Sequence, residues 1–167
     1  AGVSTENDGD SKTGALIDVS FSVTPSAEAI ATTSATLIED EITSLNFGVV
    51  YQNNDNDETL GTVWIPVSEA TGSDYTLYLG TGSSAVVLSA ANLPTETING
   101  IEYYQLTAAQ AETLAAKASD QLDGALGSFS YLYEVIDNHY GSIATSPIDT
   151  IVKTGSVTLS ATAVTDT

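Results

Sequence analysis

The chain has 167 residues, enough for one domain with a hydrophobic core, and its 42% hydrophobic content excludes an intrinsically disordered chain. Asp and Glu number 22 against three Lys and Arg, and the net charge of −19 excludes a nucleic-acid binder and disfavours contact with an anionic membrane surface. Cysteine is absent, which excludes disulfides and thiol chemistry.

The first residue is alanine, and the sequence contains no methionine. A small first residue is typical of a chain left by cleavage of a signal peptide, so we expect an exported protein of the cell surface or extracellular space. The alternative is a trimmed chain. No apolar run approaches the roughly 18 residues of a membrane-spanning helix, so we expect no membrane insertion.

A polar leader, Ala1–Gly14, precedes a segment with the period of a strand. In Ala15–Pro25 apolar and polar side chains alternate, which predicts a strand with one apolar face, and Pro25 ends it because proline has no N–H for a ladder. We expect the leader to be flexible and the apolar face to fill a groove, either in a neighbouring copy or in its own domain. This face consists of Ile17, Val19, Phe21 and Val23.

Residues 26–167 are expected to form one β-domain. Ser44–Gln52 and Thr59–Val67 are predicted to pair as a hairpin with an acidic tip, and Asn99-Gly100 is a hairpin-type turn. The predicted strands, about nine in number, are Ser34–Ile38, Ser44–Gln52, Thr59–Val67, Tyr75–Leu79, Ala85–Leu88, Ile101–Leu106, Phe129–Ile136, Ser142–Val152 and Gly155–Val164.

One helix is predicted, over Thr107–Leu122. Thr107 and Gln110 fit a capping box, and Asp123-Gly124 fits a helix end. The apolar stripe of this helix would be Ala111, Leu114, Ala115, Ala118 and Leu122. The pattern as a whole predicts an all-β fold, an Ig-like Greek-key β-sandwich with one short crossover α-helix.

The best candidate metal site is the acidic loop Asn53–Glu58. Asp55, Asp57 and Glu58 supply hard oxygen ligands close together, which suits a structural Ca²⁺ ion. The alternative is a solvated loop tip, since no turn glycine or later ligand completes a known calcium-loop pattern. The same two interpretations apply to Glu39-Asp40-Glu41, and no other cofactor is expected.

Catalytic patterns are absent from the sequence. His139 is the only histidine and lies in a predicted surface turn, and no Gly-x-Ser-x-Gly elbow is present. Paired carboxylates could hydrolyse glycosides, but such a site would want several aromatic residues, and Trp64 is the only tryptophan. We therefore expect that the protein is not an enzyme, and Trp64 is expected in the core or on a sheet face.

Three features of the sequence belong together. They are the alternating predicted strand Ala15–Thr24, the motif LNFGVV at Leu45–Val50 followed by Gly61-Thr62-Val63, and the small-residue final predicted strand Gly155–Val164. In these features the chain resembles exported fibre subunits of the chaperone–usher pilus type and their cysteine-free relatives. The alanine-rich helix at Thr107–Leu122 is a departure from that family.

The resemblance implies a structural subunit of an extracellular filament, assembled by donor-strand exchange. In that family each subunit lacks its last sandwich strand, and the N-terminal extension of the next subunit fills the gap. The implied partners are further copies of the chain, a periplasmic chaperone and an outer-membrane usher. The residues that plug the groove would be Ile17, Val19, Phe21 and Val23.

A second interpretation comes from Tyr131–Gly141. This segment is similar to the late strand and turn of bacterial Ig-like and cadherin-like domains. It implies a monomeric secreted or cell-surface binding module that recognises carbohydrate or another surface. A hydrolase that uses carboxylates ranks last, because no cluster in the sequence has catalytic spacing.

Overall fold

The computed structural model describes residues 33–47, 58–120, 122–137 and 149–163, together with four short strands. Gly82–Ser84 is a single turn of 3₁₀ helix, and the chain forms turns between the strands Val86–Val87 and Thr95–Ile98. The strands and α-helices are β1 (Val3–Thr5), β2 (Ser11–Thr13), β3 (Ala29–Ile30), β4 (Thr33–Ile38), β5 (Thr43–Ser44), β6 (Val49–Val50), β7 (Glu58–Pro66), α1 (Val67–Ala70), β8 (Tyr75–Leu79), β9 (Val86–Val87), β10 (Thr95–Ile98), β11 (Ile101–Leu106), α2 (Ala108–Glu112), β12 (Leu114–Ala118), β13 (Gly124–Asp137) and β14 (Asp149–Thr162).

Two sheets form the domain. The large sheet has the strand order β10-β11-β7-β13-β14-β4, and the small sheet has the order β5-β12-β8-β9. All neighbours in both sheets are antiparallel except β14 and β4, which run parallel. The strands β1 and β2 pair with each other, as do β3 and β6. The fold class is thus the predicted all-β sandwich, with short helices at the strand ends.

The core lies between the two sheets and is built by alternation. In β13, Phe129, Tyr131, Tyr133 and Val135 are buried at every second position, as the two-residue period of a strand requires. From the small sheet, Leu77 meets them, fully buried. Burial of each such side chain contributes about 1.5–3 kcal/mol relative to exposure, so this face holds the sheets together.

Close packing at β14 depends on a glycine. Gly155 lies directly opposite Tyr131, and a Cβ atom on Gly155 would overlap the tyrosine ring. The ring of Phe47 packs against the same tyrosine, with its centroid 4.8 Å away. Glycine at this position therefore lets a large aromatic ring lie flat across the neighbouring strand.

The predicted turn at Asn99-Gly100 is confirmed. It joins β10 to β11, and both residues have positive φ, 51° and 83°. This is the backbone of a two-residue primed turn, which asparagine and glycine tolerate better than other residues.

The prediction of a helix over Thr107–Leu122 is wrong beyond Glu112. The capping box is present, with Thr107 Oγ1 accepting from the Gln110 amide at 3.2 Å and Gln110 Oε1 accepting from the Thr107 amide at 2.9 Å. After one short helix the chain enters β12, which pairs with β5 and β8. Pairing on both sides outweighs the helix propensity of alanine, and the small side chains of Ala116 and Ala118 fit in the core between the two sheets.

The predicted hairpin of Ser44–Gln52 with Thr59–Val67 is also wrong. In the described residues, β5 belongs to the small sheet, β6 pairs with β3, and β7 lies inside the large sheet. Leu45 and Phe47 alternate because both turn into the core from an irregular segment. The final two predicted strands are one: β14 continues through Gly155 to Thr162.

Candidate functional site

Two edge strands meet on one side of the sandwich. β4 is the outer strand of the large sheet, β5 is the outer strand of the small sheet, and residues 39–42 connect them. The Glu41 amide donates to the Ile38 carbonyl at 3.1 Å, which closes the turn. The two sheets are therefore joined here by a short loop that leaves an opening between their edges.

This opening is a groove with a volume of about 440 Å³, which we call the edge groove. Its walls carry mainly small and hydroxyl side chains. They are Ser34, Ala35, Thr36, Thr43, Ser44, Leu45 and Asn46. Small walls leave room for the side chains of an added segment.

A local turn shapes the β5 side of the edge groove. The Leu45 amide donates to the Leu114 carbonyl at 2.9 Å, which attaches the chain to β12. Asn46 has a positive φ of 50°, and its amide donates to Ser44 Oγ at 3.2 Å. Asparagine tolerates this left-handed backbone, so the chain turns away from the small sheet after only two strand residues.

The β4 wall is an open strand edge. One side of β4 pairs with β14, from Thr33 opposite Val157 to Ile38 opposite Thr162, and among the described residues nothing pairs with the other side. Leu37 points into the core, fully buried, whereas Ser34 and Thr36 are exposed and Ile38 is 43% exposed.

β4 also lacks the features that usually protect an edge. Its sequence TSATLI contains no charge, no proline and no glycine. Among the described edges, β5 and β9 have only two residues each, and β10 carries Glu96. Proteins usually protect exposed edges with charges, prolines, bulges or short strands, so a six-residue uncharged edge favours addition of another strand.

An ion pair involves the turn that connects β4 to β5. Lys117 Nζ donates to Asp40 Oδ1 at 3.2 Å and ties the connecting turn to β12, and this hydrogen bond raises the pKa of Lys117. Both side chains are accessible to solvent, so the pair contributes little to stability. Asp40 thus contacts a lysine, and the described residues contain no group of three side chains that could hold a metal ion.

Two tyrosines have raised pKa values. Burial is the main cause at Tyr75, and a 2.6 Å hydrogen bond from its hydroxyl to Glu69 Oε2 adds to it. Burial raises the pKa of Tyr131 to about 12, with the nearby Tyr133 as a smaller cause. The Tyr131 hydroxyl is buried and has no hydrogen-bond partner among the described residues.

Several predicted site residues fall outside the described part of the chain. These are the strand residues Ile17, Val19, Phe21 and Val23, the acidic residues Asp55 and Asp57, and His139. Glu58, the third predicted calcium ligand, is the first residue of β7.

Trp64 lies on the outer face of the large sheet, and the core lies behind that sheet. Its neighbours in β7, Val63 and Ile65, are fully buried in the core, so Trp64 points the other way. Its indole N–H donates to Glu96 Oε2 at 2.9 Å.

The edge groove does not follow from the sequence, because its walls come from two sheets and no local pattern tells how those sheets are arranged. The one signal in the sequence is the uncharged stretch Thr33–Ile38 directly before the acidic turn Glu39-Asp40-Glu41.

No family model, curated protein or solved structure matches this chain. In the described residues, no helix is long and apolar enough to cross a membrane.

Proposed function

We propose that the protein is a non-enzymatic structural subunit of an extracellular filament, in which the Ala15–Pro25 strand of one copy adds to the β4 edge of the next. The observation that carries this proposal is the long, uncharged edge of β4 beside the edge groove, which is unpaired as far as the described residues go. Strand addition to such an edge supplies main-chain hydrogen bonds, and the alternate side chains enter the neighbouring groove.

The apolar face of the added strand supplies the energy. Burial of Ile17, Val19, Phe21 and Val23 would contribute on the order of 6–12 kcal/mol before the cost of ordering the strand. The small walls of the edge groove would face this row of side chains.

Charge supports the same pairing. A chain with a net charge of −19 repels its own copies, so contacts between copies must avoid acidic surfaces. Ala15–Pro25 carries a single charge, Asp18, and β4 carries none. These two segments could therefore approach each other at a small Coulomb cost.

The proposed exchange differs from the pilus-type arrangement in one respect. There the acceptor lacks its last strand, whereas here β14, the final strand of the described residues, has β13 and β4 on its two sides. The incoming strand would therefore extend the large sheet beyond β4. Export, a periplasmic chaperone and an outer-membrane usher belong to the same proposal.

Electron microscopy with a matched pair of variants tests the filament. Phe21→Asp places a charge on the apolar face, and Ser20→Asp places the same charge on the polar face one residue away. We expect the parent and Ser20→Asp to form filaments of uniform width that resist detergent until boiled, and Phe21→Asp to stay monomeric. Phe21→Asp filaments as long and heat-stable as those of the parent would refute the proposal.

Cysteine cross-linking tests the acceptor edge, since the chain has no native cysteine. Ser20→Cys or Ser22→Cys is combined with Thr36→Cys on β4, and the control replaces Thr36→Cys with Thr97→Cys on the edge strand β10. We expect an oxidised ladder of covalent oligomers with Thr36→Cys only. A cross-linked monomer would mean that the strand pairs within its own domain, which supports the alternative of a monomeric binding module.

A further inference from the structure

A second cluster lies on the outer face of the large sheet, away from the edge groove. It spans three neighbouring strands: Trp64 on β7, Gln105 directly opposite it on β11, and Glu96 on β10. Trp64 and Gln105 are half-buried, and Glu96 is exposed. We call these three residues the tryptophan platform.

Hydrogen bonds fix the orientation of the platform. Glu96 Oε2 accepts from Trp64 Nε1 at 2.9 Å and from Gln105 Nε2 at 2.7 Å. One carboxylate oxygen thus holds both neighbours, and charge-assisted bonds of this kind are stronger than neutral ones. The bond holds the edge of the indole, so the tryptophan ring cannot rotate freely.

The same network leaves acceptors free. Within the described residues, Glu96 Oε1 and Gln105 Oε1 make no hydrogen bond. These oxygens accept hydrogen bonds and do not donate them. A ligand that matches the platform must therefore bring donors, together with an apolar surface for the indole.

We propose that the tryptophan platform binds a neutral saccharide. A sugar ring offers both required features, hydroxyl donors around its rim and C–H groups on its face, and an aromatic ring with a few fixed polar groups is the usual composition of a small-molecule site. The net charge of −19 and the carboxylate of Glu96 oppose an anionic saccharide.

The surroundings favour a chain of sugars over a single ring in a pocket. On the other side of Trp64, β13 places Leu132 directly opposite, and β14 places Thr154 opposite Leu132. Both point outward, since the residues on either side of Leu132, Tyr131 and Tyr133, face the core. The platform thus continues across the sheet as a row of side chains that a linear saccharide can follow.

Tryptophan fluorescence tests the proposal directly, because Trp64 is the only tryptophan. The full chain is titrated with cellohexaose, laminarihexaose, maltohexaose, mannohexaose and chitohexaose, with hexagalacturonate as the anionic probe and choline as the cationic probe. We expect a saturable change with at least one neutral hexasaccharide and none with hexagalacturonate or choline.

Variants locate the binding. Trp64→Ala and Glu96→Ala, measured by calorimetry, are expected to weaken the affinity for that saccharide at least about tenfold, whereas Trp64→Phe keeps an aromatic face and retains part of it. The control is Tyr78→Ala, which removes an aromatic residue from the outer face of the small sheet and should leave the affinity unchanged. No response to any neutral hexasaccharide, a response to choline alone, or binding that survives Trp64→Ala would overturn the proposal. Because the test measures the protein in solution, its outcome does not depend on filament formation.

Discussion

At the level of single residues, Tyr131 combines a closely packed ring with a buried hydroxyl group. Its ring lies across Gly155 and contacts Phe47, while its hydroxyl is buried without a hydrogen-bond partner among the described residues. A buried hydroxyl without a partner costs stability, because it has lost its bonds to water. The tyrosine therefore contributes through its ring.

Tyr131→Phe removes only this hydroxyl. We expect the free energy of unfolding at neutral pH to stay the same or rise by up to about 1 kcal/mol. At alkaline pH the effect grows, because the folded-state pKa is about 12 against an ordinary value of about 10. Between these values the unfolded chain releases a proton that the folded chain keeps, so stability falls as the pH rises from about 10 to about 12.

Urea unfolding between neutral pH and pH about 12 measures this difference. Tyr131→Phe should lose less stability than the parent over the alkaline range, and Tyr78→Phe, a half-buried tyrosine on the outer face of the small sheet, is the matched control. If Tyr131→Phe lowers neutral stability by more than about 1 kcal/mol, the hydroxyl has a partner elsewhere in the chain.

At the level of elements, the strand β12 shows where local pattern fails. The stretch LAAKA fits a helix by composition, and the short helix α2 just before it begins with a genuine capping box at Thr107. Yet Leu114, Ala116 and Ala118 belong to the core at alternate positions. The helical period and the two-residue strand period both place Leu114 and Ala118 on one face. Pairing with β5 and β8 therefore determines that this stretch is a strand.

Turns with special backbone requirements are predicted better. Asn99-Gly100 identifies its hairpin from two residues, because few residue pairs tolerate its positive φ angles. The β4 edge and the edge groove depend on long-range contacts, and no local sequence pattern identifies the strands that lie beside β4. The alternation in Ala15–Pro25 predicts a strand, but it does not identify the strand with which it pairs.

Ala116→Leu tests the strand assignment. Ala116 is fully buried and lies directly opposite Leu77, so three extra carbon atoms would overpack the core and cost about 1–3 kcal/mol. Ala109→Leu, at an exposed position of α2, should change stability by less than about 0.5 kcal/mol. Urea unfolding followed by circular dichroism measures both. Equal stability of the two variants would show that Ala116 does not face the core.

At the level of the whole molecule, charge opposes both folding and assembly. A net charge of −19 is concentrated more in the folded state than in the unfolded chain, so repulsion destabilises the fold. The β4 edge carries no charge and the segment Ala15–Pro25 carries only Asp18, so this repulsion is small between them. Salt should therefore favour both the folded subunit and the proposed filament.

Melting temperature against salt separates general screening from a specific calcium site. As NaCl rises from about 0.01 M toward about 1 M, the screening length falls from about 30 Å to about 3 Å, and we expect the Tm to rise by several degrees. CaCl₂ and MgCl₂ at matched ionic strength should reproduce most of that rise in Tm.

The calcium site is tested by comparing the two divalent salts. A further rise in Tm with millimolar CaCl₂ only, which is lost in the double variant Asp55→Asn with Asp57→Asn, would assign a structural Ca²⁺ to the Asn53–Glu58 loop. Identical curves for the two divalent salts, unchanged in that variant, would eliminate the predicted calcium site. A Tm that does not change with NaCl would instead show that repulsion among the acidic residues is already relieved in the folded chain.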